Sequence, residues 1–153
     1  MMSENIVVLS GSPKMEDKFH VAVKAIILYK GKALIIKRSE YDSVNAHIWE
    51  FPGGRIHFKE ELKDALIREA KEETGLIVSV GNILYAANCE LCETRHCVII
   101  SYLCSIEEEA VSLSGEHTAY IWADRAQLHE FLHQPIQDDL DRYGVWDKLG
   151  TLV

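Results

Sequence analysis

Long apolar runs are the first thing this sequence lacks. The stretch from Ile6 to Leu9 is far too short for a signal peptide or for a membrane span, which needs about 20 apolar residues. Cysteine is scarce as well, with four residues in 153. Without a secretory leader, that usage points to a reducing cytoplasm and free thiols. Positive charge is in short supply: 16 Lys and Arg stand against 24 Asp and Glu, for a net charge of -8. Such a surface argues against nonspecific partnership with nucleic acid or an anionic membrane. An anionic ligand would have to be met by a metal or by local Arg and Lys. No internal repeat, linker or low-complexity segment is present. What remains is ordinary globular composition, 48% hydrophobic and 26% charged, in a length that suits one domain. Residues 1–18 form a polar lead, partly flexible, and residues 19–153 the domain.

The chain is organised around the stretch from Trp49 to Leu76. It opens on a Pro-Gly-Gly turn, continues as a helical segment and stops at Gly75, a left-handed cap. No strong N-cap precedes Lys59, so the helix end is better marked than its start. A helix advances about 100° per residue, so with Glu69 at zero Glu72 falls at about -60° and Glu73 at about +40°. The three carboxylates therefore share one face with Leu62, Ala65 and Leu66. Glu60, at about 180°, and Asp64 and Lys71 point elsewhere. Like charges at these spacings repel by a few tenths of a kcal/mol per pair, and an inward-facing cluster is costlier unless cations neutralise it. Hard divalent cations with oxygen ligands suit such a stripe.

Around it, Phe19 to Tyr29 is expected as a buried strand, with Lys30-Gly31-Lys32 turning into a returning strand from Ala33 to Arg38. Ser39 to His47 is a polar loop, and Trp49 to Phe51 is short and extended. Leu76 to Val80 and Asn82 to Cys92 are strand material, with Gly81 a bulge or turn. Glu93-Thr94-Arg95 makes a hairpin turn into the strand from Cys97 to Ile106. A short strand from Ala119 to Trp122, a helix from Ala126 to His133 and a last helix from Pro135 to about Leu149 complete an α+β sandwich.

Gly54, Glu60, Arg68-Glu69-Ala70, Glu72-Glu73 and Gly75-Leu76 resemble the Nudix box at every fixed position. Ala70 is smaller than the usual aliphatic, a difference of packing. Trp49-Glu50-Phe51-Pro52-Gly53 also resembles the usual lead-in. The resemblance implies an α/β/α sandwich with a mixed β-sheet between helices. It implies a Mg²⁺-dependent hydrolase, with Mn²⁺ an alternative, that cleaves a diphosphate bond in a nucleoside diphosphate linked to another group. The box glutamates Glu69, Glu72 and Glu73 and the Gly54 carbonyl correspond to metal ligands. Glu69 is the first choice for general base, and Arg68 orients a box carboxylate. Glu60 is structural and pairs with Arg68. An acidic residue from the region of Glu116 completes the metal site in some members; an ordinary loop glutamate is the alternative, and His117 is taken as a loop residue.

Arg38, at a strand end, resembles family arginines that meet phosphate or base. Asn45 and Phe51, with Tyr41 and Trp49, are candidates to contact the base. Compact length, Arg38 and Glu50-Phe51-Pro52 lean toward MutT-like cleavage of a nucleoside triphosphate. The alternatives are an ADP-ribose or nucleotide-sugar pyrophosphatase, or a catalytically silent nucleotide-binding domain. The expected partner is a nucleotide-type small molecule, with neither nucleic acid nor membrane; a homodimer is compatible. Cys89, Cys92, His96 and Cys97 have ligand-like spacing for zinc. Against zinc, Cys89 and Cys92 point to opposite faces of a plain strand.

Overall fold

The computed structural model describes residues 18–92 and 95–150; side chains are described except at 90–92. Most of the polar lead, most of the Glu93-Thr94-Arg95 turn and the Cys92 side chain therefore lie outside the described residues.

β1 (Lys18–Tyr29) and β2 (Lys32–Arg38) are joined by Lys30 at φ 47° and Gly31 at φ 74°. Two successive positive φ values match the twist of a tight hairpin. Only Leu28↔Ala33 and Tyr29↔Lys32 pair, however. Beyond them the strands splay, and the returning chain fills the gap. β3 (Trp49–Glu50) pairs with β2, and β4 (Gly53–Arg55) pairs with β1. The turn at Pro52 and Gly53 thus sits inside the sheet, fixed by the Ala25 N–H to the Pro52 carbonyl at 2.8 Å. β4 was not expected from the sequence, because a Gly-Gly-Arg segment has little intrinsic strand preference.

After β4, α1 (Leu62–Thr74) leads to β5 (Ser79–Cys92) and β6 (Arg95–Ser105). β6 pairs with β5 antiparallel and with β1 parallel along its length. The expected bulge at Gly81 is present as a register shift between Val80 and Ile83. β7 (His117–Ala123) pairs with the outer edge of β2. The result is a mixed sheet of seven strands.

Alternation along β1 builds two cores. Val23, Ala25 and Ile27 meet Ala65, Leu66 and Ala70 of α1 on one face. Ile26 faces the other side, where Phe51, Leu128, Leu140, Val145 and Trp146 pack. Those residues bring in α2 (Arg125–Phe131), α3 (Gln134–Arg142) and α4 (Val145–Lys148). Helices on both faces give the expected sandwich. The single last helix expected from Pro135 is instead two, because Gly144 takes a left-handed φ of 61° and breaks it.

Candidate active site

Three pieces of backbone converge where the sheet splays. The first is the turn at Gly53 and Gly54. The second is the C-terminal half of α1, ended by Gly75 at φ 71° with its N–H on the Lys71 carbonyl. The third is the loop before β7. It is strapped to the end of α1 by the Ser112 N–H to the Thr74 carbonyl, 2.8 Å, and the Ser114 N–H to the Glu73 carbonyl, 3.1 Å. These bonds satisfy helix-end carbonyls and deliver Glu116 and His117 to Glu73. One ligand atom from each of Glu73, Glu116 and His117 lies within 4.8 Å of the others.

The box carboxylates form a gradient rather than a uniformly inward stripe. Glu73 is 5% exposed and accepts the Gly53 N–H at 2.9 Å. Burial raises its pKa to about 7, against the pull of Lys24 and of that N–H. The Glu69 side chain is 15% exposed, and that of Glu72 is 59% exposed. A Cβ on Gly54 would stand 2.5 Å from the Glu69 carboxylate, so only glycine lets the turn approach it this closely.

Arg68 ties the group together. Its guanidinium donates to Glu60 at 2.7 and 2.9 Å, to Glu69 at 2.8 Å and to Glu72 at 3.3 Å. Arg68 first, then the His57 N–H, holds the Glu60 carboxyl down at about 2. The expected Glu60–Arg68 pair is therefore formed. Glu60 belongs to the turn before α1, which begins at Leu62, so the helical angle expected for it does not apply.

A second charged group faces the carboxylates. Glu50 lies among Lys24 at 3.1 Å, Arg38 at 2.8 Å and His117 at 3.3 Å. Burial opposes its ionisation, yet Lys24, the His117 contact and Arg38 hold it well below the usual carboxylate range. Arg38 also forks onto Asp42. The Asn45 N–H, followed by Arg38, holds Asp42 at about 2.

Lys24, Arg38 and Glu50 line a cleft of about 700 Å³ together with Asn45, Arg68, Glu69, Glu72, Glu73 and Glu116. It adjoins a cavity of about 430 Å³, and Lys24, Asn45 and Glu50 line both. Phe51 is only 2% exposed and belongs to the core, touching the second cavity alone. Trp49 packs on Phe131, ring centroids 5.8 Å apart, and Tyr41 is exposed.

Sequence reasoning missed Lys24 and His117. Lys24 was submerged in an apolar strand, where one charge among β-formers was the available signal. His117, expected in a loop, begins β7 and is buried, with Nδ1 lacking a hydrogen-bond partner. Buried Ser114 Oγ is similarly unpartnered. Orphaned polar atoms beside a desolvated carboxylate fit a site for a divalent cation and an anionic ligand.

The NUDIX domain model matches residues 18–143. Over 110 residues the chain is 34% identical to a CTP pyrophosphohydrolase of Escherichia coli K12, covering 71% of this chain and 78% of that one. It is 42% identical over 65 residues to an RNA pyrophosphohydrolase of Campylobacter jejuni, covering 39% of each. A crystal structure of a MutT protein from Methanosarcina mazei superposes with a TM-score of 0.77 at 29% identity, covering 88% of this chain and 99% of that one. With the box glutamates, their arginine and the glycine turn assembled around one cleft, the chain belongs to the NUDIX family of hydrolases that act on pyrophosphate bonds.

Proposed function

We propose that the chain is a Mg²⁺-dependent pyrophosphohydrolase of nucleoside triphosphates, with Mn²⁺ able to substitute. The observation that carries this reading is the gathering of carboxylates and cations in one cleft. Glu69, Glu72, Glu73 and Glu116 line it together with Lys24 and Arg38. Carboxylates alone would repel a polyphosphate; a metal offsets that repulsion, and Lys24 and Arg38, already paired with Glu50, add local donors for the anion. A divalent cation, when bound, neutralises phosphate oxygens and acidifies a water.

The protein's own residues supply the rest. Glu69, Glu72, Glu73 and Glu116, with the Gly54 carbonyl, would hold the cation. Glu69 accepts the proton of the attacking water. Arg68 fixes Glu69 and Glu72 by charge-assisted hydrogen bonds. Arg38 meets the substrate in the cleft and Asn45 where the cleft joins the second cavity, and Phe51 forms part of that cavity's wall. The CTP pyrophosphohydrolase relative supports the triphosphate reading. We place the enzyme in the cytoplasm as one domain over residues 19–153, acting on a small nucleotide without nucleic acid, with a homodimer as a compatible state. No helix among the described residues is long and apolar enough to cross a membrane.

The test is a turnover panel of nucleoside triphosphates, oxidised nucleotides, ADP-ribose, dinucleoside polyphosphates and nucleotide sugars with Mg²⁺. The expected result is preferred cleavage of a triphosphate to monophosphate and pyrophosphate. Preference for ADP-ribose or a nucleotide sugar would overturn the substrate reading. Binding without turnover of any compound would replace the enzyme by a nucleotide-binding domain.

A further inference from the structure

Away from the carboxylates, the wall of the cleft carries two thiols that the hydrolytic chemistry does not use. Cys89 on β5 stands directly opposite Cys97 on β6, within an unbroken register from Tyr85↔Ser101 to Glu90↔His96. Both are free, and both line the same cleft as Glu69 and Glu73. Directly opposed residues share a face of the sheet. Their Cα atoms stand about 4.5–5.5 Å apart in an antiparallel pair, within the range of about 4.4–6.8 Å that a disulfide spans. Cys104 packs in the core beneath α1, on the opposite face. Among the described residues, no group of three ligand atoms includes either thiol; the Cys92 side chain of the zinc spacing lies outside them.

We propose that Cys89 and Cys97 form a reversible dithiol–disulfide site in the wall of the cleft, oxidised by small hydroperoxides that enter through it. Cys89, half-buried and lining both cavities, is the entry point. Cys97, 5% exposed, is the resolving thiol. The Cys89 sulfur, having lost its proton, attacks the outer peroxide oxygen. The O–O bond breaks, an alcohol or water leaves, and a sulfenic acid remains. Cys97 then attacks that sulfur, the S–S bond forms and water leaves. The two sulfurs together lose two electrons, and the peroxide gains them. Burial, then Asp139, holds Cys89 above its ordinary value, and burial, then Cys89, does the same for Cys97; Lys24 offsets only part of each rise. The bond would cross-link β5 to β6 in the wall that the substrate faces. This goes beyond the hydrolytic reading and does not depend on it.

The test uses the full chain with Cys92→Ser and Cys104→Ala, which leaves Cys89 and Cys97 as the remaining thiols of four. It is treated with hydrogen peroxide under native conditions and the free thiols are then alkylated. The expected result is loss of both alkylatable thiols, a mass lower by two hydrogens in a monomer, and recovery of both thiols with dithiothreitol. Thiols that stay alkylatable, a gain of oxygen atoms, or an intermolecular link would overturn the proposal. Should the double variant fold poorly, the wild-type chain is oxidised, digested and sequenced by tandem mass spectrometry. A Cys89–Cys97 link is then expected, and a main product joining Cys92 to either residue would contradict it.

Discussion

Replacing Glu73 by Gln should stabilise the metal-free protein, and only at neutral to alkaline pH. Glu73 is buried, and its pKa rises from 4.5 to about 7 on folding because burial disfavours the charge. The native state therefore holds a proton that the unfolded chain releases between those values. The contribution of the neutral acid to stability is complete below 4.5 and is lost as pH rises through about 7. At about 1.4 kcal/mol per pKa unit, ionising Glu73 in the folded protein costs about 3 kcal/mol. Gln keeps an oxygen for the Gly53 N–H and never ionises. In EDTA, Glu73→Gln and wild type should melt together near pH 4.5. At pH 8 the variant should be about 3 kcal/mol more stable, or about 6–12 °C higher in Tm for a chain of this size. Taking the difference between the two proteins cancels the titrating groups that do not interact with Glu73; Lys24, His117 and Glu50 do interact with it. A stability difference that is the same at both pH values, or that has the opposite sign, would refute the reasoning. Mg²⁺ should then narrow the gap, because the cation favours the ionised carboxylate that only the wild type has.

Chelation by EDTA should abolish hydrolysis, and Mg²⁺ or Mn²⁺ should restore it; full activity in EDTA would remove the metal from the account. Gly54→Ala should lower kcat by roughly tenfold or more with a small change in Tm, since its methyl group displaces the Glu69 carboxylate and a misplaced group costs rate before it costs stability; unchanged kcat would show that the close approach has no catalytic use. Arg38→Ala should raise KM more than it lowers kcat if the guanidinium meets substrate, and initial-rate kinetics on the preferred nucleotide check this.

The box made α1 and the carboxylate cluster legible, because fixed spacing on a helix converts directly into direction. Strong β-formers did the same for β1, β2 and β6. The splay of β1 from β2 was not legible. It depends on β4, whose pairing with Ala22, Val23 and Lys24 is long-range and leaves no local pattern. His117 was obscured for the same reason: its burial comes from the strap of Ser112 and Ser114 onto the end of α1. Glu60 shows the converse limit. It precedes the helix start, which no side-chain cap marks, so helical periodicity does not reach it, yet it pairs with Arg68. Phe51 offered a ring for stacking, and the core took it.

The most direct test of the central claim compares kcat for Glu69→Gln, Glu72→Gln, Glu73→Gln and Glu60→Gln under saturating Mg²⁺. Gln keeps size and removes charge. The first three should lose roughly 10²–10⁴ in kcat, the range for removing a general base or a charge that stabilises the transition state. Glu60→Gln should lower Tm while keeping most of its turnover, since its contacts are to Arg68 and the His57 N–H. If Glu60→Gln proves the most damaging to kcat while Glu69→Gln stays near wild type, the carboxylates of α1 do not form the reacting face.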